Sequence, residues 1–223
     1  MDAKDLTRRF RAATFRLSTP AMNGLPGDHG FEVAFAGRSN AGKSSALNVL
    51  TEQVGLARVS KTPGRTQQLV VFDLDHEHRL IDLPGYGYAK VPKAMKETWG
   101  QVVEQYLLKR QCLHGVVLLS DIRQPLRELD QVFLDFAAAR GLPCLLLLTK
   151  ADKLNRGPGL TAARAVEKQI VAASAAGNAT PVRVLPFSST ARTNVEEARW
   201  QIAEWLGWAK AQQAPTEAAP LRH

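Results

Sequence analysis

The chain has 223 residues, 45% of them hydrophobic, enough to enclose one full core and short for two domains. Its formal charge of +8 and pI near 9.8 point to a polyanionic partner, nucleic acid first, with a merely soluble basic surface as the alternative. No apolar run approaches the roughly 20 residues of a membrane helix, and the charged N-terminus (Asp2, Lys4, Asp5, Arg8, Arg9, Arg11) lacks the apolar centre of a secretory signal, so a cytoplasmic protein without membrane insertion is expected.

In chain order, residues 1–29 read as a basic leader followed by a turn-rich loop containing Thr19, Pro20, Asn23, Gly24, Pro26, Gly27 and Asp28. The apolar pattern then predicts a buried strand from Phe31 to Ala36, a helix from Lys43 to Leu50, and strands from Gln68 to Leu74 and Arg79 to Leu83. His76 and His78 flank the turn of the hairpin joining the last two, and two histidines are too few ligands to argue for a metal. A helix from Ala94 to Lys109, a strand from Gly115 to Leu119, a helix from Glu128 to Arg140 and a strand from Pro143 to Thr149 follow. Helices over Thr161 to Ala175 and Val195 to Lys210 enclose a final strand from Val182 to Phe187. Strands alternating with helices imply a three-layer α/β fold, a mostly parallel six-stranded sheet with helices on both faces. The expected domain spans residues 30–210, and residues 211–223 read as a disordered tail. Cys112 and Cys144 lie in or beside apolar runs, as buried structural cysteines do. Trp200, Trp205 and Trp208 belong to the last helix, where packing against the sheet accounts for them better than nucleobase stacking.

Gly37-Arg38-Ser39-Asn40-Ala41-Gly42-Lys43-Ser44 satisfies GxxxxGK[ST] between a predicted strand and a predicted helix, the placement a P-loop requires. There backbone N–H groups and the helix N-terminus cradle phosphates, Lys43 reaches the β- and γ-phosphates, and Ser44 ligates Mg²⁺. Asp82-Leu83-Pro84-Gly85 ends another strand and resembles the DxxG switch element, whose carboxylate holds Mg²⁺ through water and whose glycine N–H senses the γ-phosphate. Between these, Lys61-Thr62-Pro63-Gly64-Arg65-Thr66-Gln67 is polar and turn-rich like a switch loop, with Thr66 as the candidate second Mg²⁺ ligand and Thr62 as the runner-up. Thr149-Lys150-Ala151-Asp152 resembles the [NT]KxD element at a strand's C-terminal end, where Asp152 accepts hydrogen bonds that guanine offers and adenine does not. Phe187-Ser188-Ser189 resembles the loop whose backbone meets guanine O6, although a plain turn fits that spacing nearly as well.

These elements, in this order, define a GTP-binding domain, and their details are similar to one family. GRSNAGKSS at Gly37 to Ser45, SKTPGRTQ at Ser60 to Gln67, DLPGYGYAKV at Asp82 to Val91 and TKADK at Thr149 to Lys153 resemble the EngB-type (YihA/YsxC) bacterial GTPases, among the Era/EngA-like P-loop GTPases. The resemblance covers roughly residues 10–210, and its most specific part is the extended second switch with Tyr86, Tyr88 and Lys90. It implies GTP hydrolysis, a role in assembly of the large ribosomal subunit with the ribosomal subunit or rRNA as partner, and an association with cell division and septation. The catalytic set it implies is Lys43, Thr66, Asp82 and Gly85. Its nucleotide contacts are Gly37, Arg38, Ser39, Asn40, Ala41, Gly42, Lys43, Ser44 and Ser45, then Gly64, Arg65, Thr66, Gln67 and Gln68. Asp82, Leu83, Pro84 and Gly85 follow, with Thr149, Lys150, Ala151, Asp152, Phe187, Ser188 and Ser189.

Ras-like enzymes orient the attacking water with a glutamine directly after DxxG, and here that position is Tyr86, so intrinsic hydrolysis is expected to be slow. Asn40 is where some related GTPases hold a K⁺ ion; hydrogen bonding within the loop is the alternative. Arg58, Lys61 and Arg65 with Lys90, Lys93 and Lys96 form two basic groups suited to an RNA-facing surface, or to a solvated face. The competing functions are a P-loop ATPase or phosphotransferase, and a module that holds GTP without turnover. A monomer is expected.

Overall fold

The computed structural model describes residues 1–57, 68–86, 93–174 and 181–209. Thr62, Gly64, Arg65, Thr66 and Gln67 of the first switch loop, Tyr88 and Lys90 of the second, and the tail lie outside the described residues. Helix α1 (Ala3–Arg11) begins at Asp2, whose carboxylate accepts the Asp5 amide at 2.8 Å, and Leu6 and Phe10, one turn apart, are its buried residues. Strand β1 (Thr14–Thr19) follows, and then β2 (Phe31–Gly37), α2 (Lys43–Thr51), β3 (Leu69–Asp73), β4 (His78–Asp82), α3 (Lys93–Lys109), β5 (Leu113–Asp121), α4 (Glu128–Ala139), β6 (Cys144–Thr149), α5 (Arg156–Ser174), β7 (Val182–Pro186) and α6 (Val195–Trp205).

The strands form one sheet in the order β1-β3-β4-β2-β5-β6-β7. From β4 through β7 neighbouring strands are parallel, while β3 and β1 run antiparallel at one edge. Among the described residues the sheet thus has seven strands, where the sequence predicts six. The extra one, β1, comes from the leader, and its residues from Thr14 to Arg16 are exposed, so no buried alternation marks it in the sequence.

Successive residues of a strand face opposite sides of a sheet, and β2 separates two cores accordingly. Val33 and Phe35 pack with Leu6 and Phe10 of α1, Leu47 and Leu50 of α2, and Ala198 and Ile202 of α6. Ala34 and Ala36 face Val103 and Tyr106 of α3, Phe133 of α4 and Val166 of α5. Three layers result. Both cysteines are buried and free, and burial pushes the Cys144 thiol up to about 12. Helix α6 stops at Trp205, before the predicted Lys210, because Gly207 takes the left-handed conformation (φ 69°) and the Trp208 amide turns back to the Ala203 carbonyl at 2.9 Å. Trp205 lies so close on Gly115 of β5 that a Cβ there would meet its ring at 2.2 Å, and Trp208 sits edge-on to Phe10 with ring centroids 5.8 Å apart.

At the end of the sheet away from the strand C-termini, fully buried Glu32 accepts from Arg79 Nε at 2.9 Å, Arg110 Nη2 at 2.6 Å and the Tyr106 hydroxyl at 3.0 Å. Arg110 also donates to the Pro26 carbonyl at 2.9 Å, which ties the leader loop to the sheet.

Candidate active site

Strand β2 lies where the strand order reverses, with β4 on one side and β5 on the other, and ligands bind such sheets in the crevice beyond the strand C-termini. Every described motif residue collects there. The loop after β2 is shaped by Asn40 (φ 65°) and by Gly42 (φ 96°), the residue that precedes α2. An added Cβ at Gly42 would meet only Thr149 at 3.7 Å, so the backbone conformation rather than space asks for glycine. Gly37 differs, because a Cβ there would come within 2.7 Å of the Leu119 carbonyl on β5. Lys43 and Ser44 open the first turn of α2, and Ser45 is exposed beside them.

The Lys43 ammonium forms an ion pair with the Asp82 carboxylate at the end of β4, both side chains being largely shielded from solvent. Leu83 continues the parallel pairing through its amide to the Phe35 carbonyl at 2.9 Å, and Pro84 and Gly85 lead to Tyr86. Tyr86 pairs with the P-loop by its backbone. Its carbonyl accepts the Ser39 amide at 2.9 Å and the Ser39 hydroxyl at 3.2 Å. Its phenol turns away into the core and donates to Asp130 at 2.6 Å. Burial, and then the Asp130 charge, raise the Tyr86 hydroxyl well above the ordinary tyrosine range.

Beyond β6, the Thr149 hydroxyl donates to the Ala41 carbonyl at 2.6 Å, and Lys150 Nζ donates to the Asn40 carbonyl at 2.9 Å. Ala151 pairs with Phe187 through its amide at 3.1 Å, which joins the two loops assigned to the base. Asp152 accepts from the Ser188 hydroxyl at 2.6 Å, and that bond, more than Lys153 nearby, holds its carboxyl below the usual range. Phe187 itself is fully buried, so only its backbone is available to a ligand, and Ser189 is half-buried. Gln68 is exposed just before β3.

Motif reading missed the end of β5. Asp121 pairs with Arg123 at 2.6 Å and with Lys150 at 2.9 Å, and the first of these contacts chiefly holds its carboxyl far below the usual range. Asp121, Arg123, Ser120 and Gln124 line a cavity of about 400 Å³ with Arg38 to Ala41 and Lys150. The position of Asp121 at a parallel strand end was the available signal. Asp130, the partner of Tyr86, carried none, since a helix N-terminal aspartate reads as a cap.

The family model described as 50S ribosome-binding GTPase matches residues 32–150. Over 194 residues the chain is 53% identical to the probable GTP-binding protein EngB of Colwellia psychrerythraea, covering 87% of this chain and 84% of that protein. Among solved structures, a probable GTP-binding protein EngB aligns with a TM-score of 0.63 at 22% identity, over 79% of this chain and 98% of that one. Era in complex with MgGDPNP and nucleotides 1506–1542 of 16S ribosomal RNA aligns with a TM-score of 0.54 at 21% identity, over 87% of this chain and 60% of Era. The two structural likenesses concern the fold. With more than half its length inside the family model and 53% identity over 194 residues to a curated relative, the chain belongs to the EngB family of GTP-binding proteins and is a P-loop GTPase.

Proposed function

We propose that the protein is a cytoplasmic, Mg²⁺-dependent GTP switch that acts in assembly of the large ribosomal subunit, and that its link to cell division and septation runs through that role. The observation that carries the switch is the joining of the base end to the phosphate end, with Thr149 bonded to Ala41 and Lys150 to Asn40. The large subunit is supported by the family's description and an RNA partner by the Era complex, together with the +8 charge. Membership in a GTP-binding family sets the ATPase alternative aside.

In this reading Asp152, oriented by Ser188, accepts the guanine N–H and amino group, and the Lys150 stem packs along the base. Lys43 leaves Asp82 for the β- and γ-phosphates when nucleotide arrives. Ser44 and Asp82 then present a hydroxyl and a carboxylate, hard oxygen donors that suit Mg²⁺, which takes few protein ligands beside phosphates and water. Bound there, Mg²⁺ would neutralise charge on the transferring phosphoryl group. The Gly85 N–H reads the γ-phosphate. Thr66 remains the proposed second protein ligand, and K⁺ beside Asn40 a proposed aid to hydrolysis. The Tyr86 phenol, turned into the core, does not orient water, so intrinsic turnover is slow and a partner or ion accelerates it.

The test compares binding of GDP, a GTP analogue and an ATP analogue by wild type and Asp152→Ala, then of ribosomal particles in each nucleotide state. Guanine selectivity lost in the variant, with large-subunit particles retained only with the GTP analogue, is the expected result. Equal retention with GDP removes the switch.

A further inference from the structure

Tyr86 does more than fail to be a glutamine. Its backbone and its side chain are fixed by different parts of the molecule, and Gly85 lies directly between those fixings and Asp82. The Tyr86 carbonyl takes both donors of Ser39, and its amide donates to the Gly37 carbonyl at 3.3 Å, so the segment runs as a short parallel ladder beside the P-loop. The phenol meanwhile reaches Asp130, a fully buried carboxylate at the third position of α4. Asp130 is held in turn by the Ser120 hydroxyl at 2.8 Å and the Arg127 amide at 3.2 Å, so Ser120, at the end of β5, and α4 fix the acceptor that fixes Tyr86. Phe133, one turn further along α4, stacks against the Tyr86 ring with centroids 6.4 Å apart and closes the other side.

We propose that Tyr86 is a positioning residue, whose phenol bond to Asp130 presets the Gly85 amide against the P-loop so that the γ-phosphate meets an ordered donor. The inference rests on the proposed γ-phosphate role of Gly85. Preorganised donors cost no reordering when charge arrives, and an unanchored Gly85 would have to be ordered by the nucleotide itself. GDP, which lacks the γ-phosphate, is indifferent to the anchor. The signature is therefore a split between nucleotides, which a general loss of stability would not produce.

The experiment measures affinities for GDP and for a non-hydrolysable GTP analogue, and single-turnover GTP hydrolysis, in wild type, Tyr86→Phe, Asp130→Ala, Asp130→Asn and the Tyr86→Phe/Asp130→Ala pair. A hydrogen bond to a charged acceptor supports an effect of about tenfold. Tyr86→Phe and Asp130→Ala are each expected to weaken the GTP analogue and slow hydrolysis by that factor, with GDP affinity held within about twofold. The pair should lose no more than either alone, because both remove one interaction. Asp130→Asn keeps a carbonyl acceptor and should retain most of the wild-type preference. Val166→Ala, a core truncation on α5 that leaves the network untouched, supplies a matched fall in melting temperature and should leave the preference unchanged. Equal weakening of both nucleotides in Tyr86→Phe, or a shifted preference in Val166→Ala, overturns the proposal. In Gly85→Pro, which deletes the amide hydrogen, an unchanged preference would refute the role of Gly85 and the proposal with it. A shift there without one in Tyr86→Phe refutes the anchor alone.

Discussion

Thr149 hands its hydroxyl hydrogen to the Ala41 carbonyl over 2.6 Å, and both residues are buried. One side chain of the TKxD segment, proposed to meet guanine, thereby holds the backbone of the P-loop segment. Thr149→Val keeps the shape and deletes the bond, leaving a buried carbonyl short of its partner at a cost of about 1–3 kcal/mol. A lower melting temperature and weaker GDP binding are expected together. Unchanged GDP affinity would mean that the loop holds its shape without Thr149.

Ser188 bonds Asp152 at 2.6 Å and also accepts the Ala191 amide at 3.0 Å, so it fixes the carboxylate proposed to read guanine and its own loop at once. Ser188→Ala should lower GDP affinity by about three- to tenfold, the worth of one such bond, with binding of ATP analogues unaffected. Titration with fluorescent GDP and ATP analogues measures both. Equal losses for both would place the effect in the fold.

Glu52 sits at the end of α2 among Arg11, Arg192 and Arg199. Burial opposes its charge, but hydrogen bonds from Arg11, Arg199 and Arg192 outweigh that and hold the carboxyl at about 2, against an ordinary 4.5. The folded value is the lower one, so the stabilisation is complete above 4.5 and drains away as pH falls from there toward 2. Wild type should thus lose melting temperature faster than Glu52→Gln over that interval. Parallel curves would show that the three arginines do not act through Glu52.

Glu32→Ala would leave Arg79 and Arg110, both buried, facing each other without their shared carboxylate. Removing one partner of a buried ion pair costs about 3–5 kcal/mol. Urea unfolding should show that loss, and a change under about 1 kcal/mol would mean that water reaches the cluster.

The P-loop, DxxG and TKxD segments were legible because each is a short run whose chemistry depends on neighbours in sequence, and the described parts of all three meet at one end of the sheet. The parallel sheet was legible from its buried strands, such as Cys144 to Thr149, every residue of which is buried. What escaped depends on partners far away in the chain. Nothing around Asp130 announces Tyr86, 44 residues earlier, and nothing at Asp121 announces Lys150. The leader escaped for another reason: α1 buries only Leu6 and Phe10, too few to set a helical period.

Strand β1 has a consequence for how the molecule behaves among its own copies. Without it, β3 would offer a row of open amides and carbonyls beside Leu69, Val71 and Phe72, all buried, an invitation to intermolecular pairing. With it in place, the outermost strand is broken in register between Phe15 and Leu17 and carries Arg16, which reaches Asp73 at 3.3 Å. An irregular border that carries a charge is a poorer template for another strand than an open β3 would be, so the N-terminal strand blunts the edge that the rest of the sheet would leave open.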